Sequence, residues 1–312
     1  MRALRIHRHG QPVFETDAPR PVAGVDEAIV DLVYAGINPV DVFIMQGGVA
    51  PDAPLPRVLG IDGAGYLDGI PVLVHGAGVG VFRDGTIAEQ VAAPRVAIVA
   101  IPDGVSLESA TGCGNAGGTA VRLFQLSEAQ PSDHALVLAA SGSVGAAICS
   151  LLAAAGVRVS AQIRRESAFD FVRDAGGTPL FARTPADLTA TLGRDPPNIL
   201  FDPLGGEWAA AAMELLPIDA RHIVYGTITG QTIEINLRNF YRRSGTMRSY
   251  RGILEPAERL REACILAMKA VAEGRLKIPI GPRVPINSGV EAYEHIRTSH
   301  VGRVVVEIAS DA

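Results

Sequence analysis

Lysine is nearly missing from this chain: of its 28 basic residues, all but Lys269 and Lys277 are arginine. No basic run occurs, and nowhere do basic residues interleave with aromatics. With 28 Lys+Arg against 33 Asp+Glu the net charge is −5. That mildly acidic balance excludes the electrostatic footprint of a nucleic-acid or anionic-membrane partner. No apolar stretch reaches the ~18 residues of a membrane-crossing helix without a charge, a proline or a glycine cluster. No signal-type leader is expected before the first strand-like run. Cysteine is scarce too: Cys113, Cys149 and Cys264 lie far apart and match neither a metal nor a disulfide pattern. Cys149 and Cys264 fall on apolar helix faces and are expected in the core. A reducing, cytoplasmic setting is the expectation.

Apolar residues are what the chain has in quantity. At 48% hydrophobic and 20% charged, 312 residues suffice for one large domain or two ordinary ones. The most informative stretch is Ala135–Arg165. Ala135–Ala139 is a short buried-strand pattern. The small-residue turn Ala140-Ser141-Gly142-Ser143-Val144-Gly145 follows, then an Ala-rich helical run to Ala155, closed by Gly156 as C-cap. Val157–Ile163 is a second strand, so the segment reads as one βαβ unit. In such a unit the glycine turn and the free N–H groups of the helix N-terminus accept a pyrophosphate. The usual G-x-G-x-x-G pattern has Ala140 at its first glycine here. A tight structural turn is the plainer alternative for two glycines, but the order strand, turn, helix, strand favours a dinucleotide.

The end of the second strand bears on which dinucleotide. NAD sites place Asp or Glu about 20 residues past the first glycine, against the ribose 2′-OH. This chain offers Gln162, Ile163, Arg164 and Arg165 before its first carboxylate, Glu166. Two guanidiniums suit a 2′-phosphate, so NADP(H) is the expected cofactor; two solvated arginines are the alternative.

The first 112 residues look β-rich, with strands at Met1–Ile6, Glu27–Tyr34, Val58–Leu67, Val72–His75 and Ile87–Ala92 and prolines punctuating the connections. Gly76–Gly85 is a turn rather than a phosphate cradle, since no helix follows it. Leu107–Leu126 reads as one helical stretch with four glycines in it. Past the βαβ unit, strands at Thr178–Phe181, Asn198–Asp202, Arg221–Gly226 and Thr232–Leu237 alternate with helices at Ala168–Asp174, Pro185–Leu192 and Glu207–Leu216. That alternation implies a parallel, doubly wound sheet. Helix Pro256–Glu273 has a one-sided apolar stripe, and the tail returns to strands at Arg283–Pro285 and Arg303–Ile308 around a helix at Ser288–Arg297. The α/β middle between β-rich ends points to an inserted nucleotide domain, residues 113–254, within a split domain formed by 1–112 and 255–312.

Several ordered motifs carry a resemblance: Ala35-Gly36-Ile37-Asn38-Pro39-Val40-Asp41, Leu59-Gly60-Ile61-Asp62-Gly63-Ala64-Gly65, Gly85-Thr86-Ile87-Ala88-Glu89-Gln90-Val91, Gly118-Thr119-Ala120, Ala139 to Gly145, Phe201-Asp202-Pro203-Leu204-Gly205-Gly206 and Val301-Gly302-Arg303-Val304-Val305. Nearly end to end, the chain resembles the zinc-free quinone oxidoreductase branch of the medium-chain dehydrogenases/reductases. The resemblance implies a GroES-like substrate domain from both chain ends plus a Rossmann domain. Relatives that use catalytic zinc carry Cys where this chain has Asn38, and His-Glu where it has Ile61-Asp62. Asn and Ile cannot supply thiolate and imidazole, so no zinc is expected.

The resemblance puts Asn38 and Thr119 near the nicotinamide, Tyr225, Gly226 and Thr227 along its other edge, and Arg303 on the pyrophosphate. Asn38 also reads as a turn former before Pro39. Where the family often has a Tyr, this chain has Phe43; Tyr66, Tyr250 and Arg251 are candidate replacements, so Asn38, Phe43 and Tyr250 outline the substrate pocket. A Tyr that often stacks on adenine is also missing, the local residues being Phe181-Ala182-Arg183. His75 and His134 read as structural. Glycines 60, 63, 65, 117 and 118 would let a flat acceptor lie close to the ring. The implied activity is NADPH-dependent reduction of a quinone or an α,β-unsaturated carbonyl, with catalytic residues left unassigned. The alternatives are a non-catalytic NADPH-binding protein and a zinc-type alcohol dehydrogenase. Self-association is left open as a homodimer through the Rossmann domain.

Overall fold

The computed structural model describes residues 1–192, 195–297 and 301–309. They fall into two compact units, Met1–Gly118 with Gly252–Gly274 and Ile278–Ala312, and Thr119–Arg251 with Arg275–Lys277. The expected boundaries, 113–254 for the inserted part, shift to 119–251 plus 275–277. The cause is local packing: Gly112 and Gly117 lie against Ile278, where an added Cβ would come within 2.6 and 2.9 Å of its side chain, and this holds 112–118 in the first unit.

The first unit is built on a seven-stranded sheet. Its order is Ile280–Pro285, Arg303–Glu307, Glu27–Ile37, Asp62–Leu67, Ile70–His75 and Ile98–Ala100, with Gln90–Pro94 also paired to the long strand. Only the first two run parallel. Along Glu27–Ile37 the residues Val30 and Leu32 face the core, and an irregularity between Leu32 and Tyr34 returns Ala35 and Ile37 to it. A smaller sheet joins Gln11–Glu15, Ala3–Arg8 and Arg57–Val58.

Two expectations are corrected here. Val58–Leu67 is not one strand: it breaks into Arg57–Val58 and Asp62–Leu67, because Gly60 takes φ +98 and seats its backbone against Thr86 and Ile87. Leu107–Leu126 is not one helix: Leu107–Cys113 and Asn115–Ser127 are separated at Gly114. That break lets the Asn115 N–H reach the Asp62 carboxylate at 2.9 Å. A short helix that periodicity alone did not reveal, Pro39–Met45, starts with Pro at its first turn and Asn38 as N-cap.

The second unit is a six-stranded sheet, parallel throughout, ordered Thr178–Phe181, Arg158–Ile163, His134–Val137, Ile199–Asp202, Arg221–Val224, Thr246–Ser249. Counted within the unit this is 3-2-1-4-5-6, the doubly wound order, with its switch point between His134–Val137 and Ile199–Asp202. Helix Ser143–Ala154 follows the first strand and is capped by Ala155; Gly156, one position on, takes the expected left-handed conformation at φ +78 and donates to the Ala153 carbonyl. The expected strand Thr232–Leu237 is not one. Its alternation reflects Ile233 and Ile235 settling on the apolar cluster of Leu204, Trp208 and Met213, without a ladder partner. Helix Leu237–Arg242 and strand Thr246–Ser249 are polar and largely exposed, which left no period to detect. Among the described residues no helix is long and apolar enough to cross a membrane.

Candidate functional site

The first candidate lies in the second unit, at the carboxyl end of strand His134–Val137. Ala139 adopts φ +50, unusual for an alanine, and its carbonyl accepts the Gly142 N–H at 3.1 Å, closing the turn. The N–H groups of Ser143, Val144 and Gly145 precede the first internal acceptor of helix Ser143–Ala154 and are orphan donors. Ser141, Gly142, Ser143 and Val144 reach the surface; Gly145 is buried. A Cβ on Gly145 would stand 2.7 Å from both the Ala139 oxygen and the Ala140 Cα, so only glycine lets the helix start this close to the strand. Buried Ala140, at the first glycine position, donates its N–H to the Gln162 carbonyl. Turn, donors and dipole fit the pyrophosphate of a dinucleotide.

Gln162 is the residue sequence reasoning undervalued. It is 1% exposed and turned inward: Oε1 accepts the Ala139 N–H at 2.9 Å and Nε2 donates to the Ala182 carbonyl at 2.8 Å. One side chain thus ties three adjacent strand ends, and no carboxylate stands at the end of the second strand. Arg164 is exposed and has no carboxylate partner among the described residues; Arg165 is half-buried. Phe181, opposite Ile163 in the ladder, stacks on Phe169 at 6.3 Å, and the Arg183 guanidinium lies 5.1 Å from its ring centre.

Elsewhere in this unit, the Tyr225 N–H donates to the Asp202 carbonyl at 2.9 Å, and Gly226 and Thr227 follow at the strand's carboxyl end. Asp202 is fully buried: one carboxylate oxygen takes the N–H groups of Leu204 and Gly205, and the other meets His222 Nε2 at 3.0 Å. Thr119 is half-buried on its helix, and Tyr250 is buried just past the last strand.

The second cluster lies inside the first unit, and it holds Asn38 and Arg303. Asn38 is 2% exposed with all of its amide capacity engaged. Its Nδ2 donates to Asp41 at 3.0 Å and to Asp62 at 3.3 Å, and its Oδ1 accepts from Asn115 at 3.1 Å and from Arg303 at 2.8 Å. No amide hydrogen is left for an acceptor's oxygen. Arg303 is fully buried, its second terminal nitrogen donating to Asp62 at 2.5 Å, so in this placement it does not extend to a pyrophosphate. The Asp41 carboxyl is pushed up to about 7, chiefly by burial and then by the neighbouring Asp62 charge. His75 Nδ1–H donates to the Ile61 carbonyl at 3.0 Å, and burial pushes its imidazole down, the structural role expected of it.

At the zinc-relative positions Ile61 sits in an apolar cluster with Ile44 and Val81. Among the described residues no group of three or more His, Cys, Asp or Glu could hold a metal ion. All three cysteines are buried and free. Burial raises the Cys113 and Cys149 thiols to about 12, so neither is a nucleophile. Phe43 is 52% exposed on helix Pro39–Met45. Two of the glycines read as room for a flat acceptor have an internal explanation: a Cβ at Gly65 would overlap the Asp31 carbonyl, and one at Gly63 would come within 2.9 Å of the Tyr34 carbonyl. These two serve strand packing.

Residues 24–103 match the alcohol dehydrogenase GroES-like domain. The chain is 24% identical over 310 residues to a quinone oxidoreductase of Rattus norvegicus, covering 95% of this chain and 94% of that one. Its fold is similar to that of a quinone oxidoreductase of Thermus thermophilus, solved also in complex with NADPH: TM-score 0.86, 23% identity, covering 99% and 100% of the two chains. It is similar too to Bacillus subtilis protein yhfP with NAD bound, at TM-score 0.81 and 22% identity, covering 98% and 99%. At these identities the two structures establish the fold.

Proposed function

We propose that the chain is a zinc-independent, NADPH-dependent reductase of quinones or α,β-unsaturated carbonyls, of the quinone oxidoreductase-like branch of the medium-chain dehydrogenases/reductases; the GroES-like domain match and the likeness to quinone oxidoreductases support this reading. The observation that carries the cofactor choice is the end of strand Arg158–Ile163: Gln162 is turned inward, no carboxylate is present, and Arg164 and Arg165 follow. One bidentate contact to a 2′-phosphate contributes about 1.5–3 kcal/mol, tenfold or more in affinity. Ser141 to Gly145 hold the pyrophosphate on backbone N–H groups. The bound cofactor supplies the hydride.

The acceptor class follows from what the protein can stabilise. Hydride transfer to a simple ketone builds a full alkoxide charge, which needs a metal or a strong donor at hand. Asn38 and Ile61 supply neither thiolate nor imidazole, and the Asn38 amide hydrogens are committed to Asp41 and Asp62. A quinone or enone spreads the arriving charge, and water or a backbone N–H suffices for it.

The test is a titration of NADPH and NADH into wild type and Arg164→Ala/Arg165→Ala, followed by turnover with a quinone, an enone and a primary alcohol. The expected result is preference for NADPH by about tenfold or more, lost in the variant, with reduction of the quinone or enone. Equal cofactor affinities in wild type, or alcohol turnover matching the quinone rate, would overturn the reading; tight binding without turnover would identify a cofactor-binding protein instead.

A further inference from the structure

We propose that Arg303 is a positioning residue: its guanidinium is the built-in counter-cation of the Asn38–Asp41–Asp62 cluster and holds the Asn38 carboxamide in one orientation. Arg303 opens strand Arg303–Glu307, whose next residue, Val304, pairs with Ile37. That register sets the Arg303 side chain beside Asn38. The strand's geometry then leaves the guanidinium one place to go, over Gly36, where an added Cβ would overlap its Nη2. There the planar fork spans two acceptors, the Asn38 carboxamide oxygen at 2.8 Å and the Asp62 carboxylate at 2.5 Å. A point-like ammonium would not span that pair.

The orientation of Asn38 follows from the charges around it. Its oxygen faces two donors, Arg303 and the Asn115 amide, and its nitrogen faces two carboxylates, Asp41 and Asp62. Rotating the amide by half a turn would set donors against donors and an oxygen against carboxylates, so one state is selected. Take the guanidinium away and two buried carboxylates face one another with only neutral amides between them. An uncompensated buried charge is more costly than the absence of the whole pair. A void shaped for a planar cation would remain, open to a small cation of the same shape.

The experiment uses Arg303→Met and Arg303→Lys in the full chain, with guanidinium chloride at low millimolar concentration as the probe and sodium chloride as its ionic-strength control. The melting temperature of Arg303→Met is expected to fall by about 5 °C or more. Guanidinium should recover at least half of that loss and sodium none, with Arg303→Lys in between. The NADPH dissociation constant should stay within about threefold of wild type, less than the loss of one charge-assisted hydrogen bond.

A tenfold loss of NADPH affinity with an unchanged melting temperature would overturn the proposal and make Arg303 a pyrophosphate ligand. Equal recovery by sodium would also overturn it. Should Arg303→Met fail to fold, Asp62→Asn/Arg303→Met decides: a double variant that folds supports the counter-cation role, and one that also fails refutes it. The binding reading rests on the NADPH-dependent function proposed above. The melting and rescue readings do not, so an inactive wild type would count against that function alone.

Discussion

Replacing Asp41 with Asn should remove the pH dependence that this one buried group imposes on stability. Asp41 is 1% exposed, and its carboxyl is raised from 3.8 to about 7 by burial first and by the Asp62 charge second. A carboxyl whose folded value exceeds its unfolded value binds its proton more tightly in the folded chain. Its stabilising contribution is therefore complete below about pH 4 and is lost as pH climbs through about 7. At about 1.4 kcal/mol per pH unit the interval amounts to on the order of 4 kcal/mol. Asparagine keeps an oxygen for the Asn38 N–H, which Asp41 accepts at 2.8 Å, and carries no charge to bury. Urea unfolding of wild type and Asp41→Asn at about pH 5 and about pH 8 reads the effect as a difference, in which titrating groups not coupled to Asp41 cancel. The advantage of the variant should grow by at least about 1–2 kcal/mol between the two pH values. A difference that is flat with pH, or that shrinks toward pH 8, would refute the buried-carboxylate argument.

Three other outcomes are expected. Gly145→Ala, whose new Cβ would press on the Ala139 carbonyl at 2.7 Å, should cost about 1–3 kcal/mol in chemical denaturation and weaken NADPH binding; unchanged binding would show that the turn is not the pyrophosphate site. Gln162→Leu leaves the Ala139 N–H and the Ala182 carbonyl unpaired and should destabilise by about 2–4 kcal/mol, a loss that urea titration measures and that a change under about 0.5 kcal/mol would contradict. Purified protein should hold no stoichiometric zinc and keep its activity in chelator, because Asn38 and Ile61 offer no ligand atoms of the required type; elemental analysis finding about one tightly held zinc per chain, with activity lost on its removal, would disprove this.

Much of the second unit was legible because its signals are local. The strand before Ala139, the turn to Gly145, the Ala-rich helix and the Gly156 cap are consecutive in the chain, and each follows from residue type and period. A parallel, doubly wound sheet followed in turn from the alternation of strands and helices, while the order 3-2-1-4-5-6 and its last strand, Thr246–Ser249, came from the structure. Local reasoning failed where an amphipathic period had another cause, as at Ile233 and Ile235, which cover a core without joining a ladder. It failed again where glycine ended an element for the sake of a distant contact. The break at Gly114 exists so that Asn115 can reach Asp62, which is 53 positions earlier in the chain.

The largest gap between the two readings is Arg303. The residue types at positions 38, 41, 62 and 303 were in view from the start, and the family resemblance, not any local pattern, marked Asn38 and Arg303 as residues beside the chemistry. Whether Arg303 reaches outward to a phosphate or inward to Asn38 is not a local property. It depends on the pairing of Val304 with Ile37 across 267 positions and on the absence of a side chain at Gly36. Composition, period and turn chemistry act through neighbours in the chain, and so they determined the elements and the character of the nucleotide turn. The partners of a buried charge are chosen by whichever groups the fold brings within about 3 Å, because an unpaired ion in a low-dielectric interior is the costliest arrangement the chain could adopt.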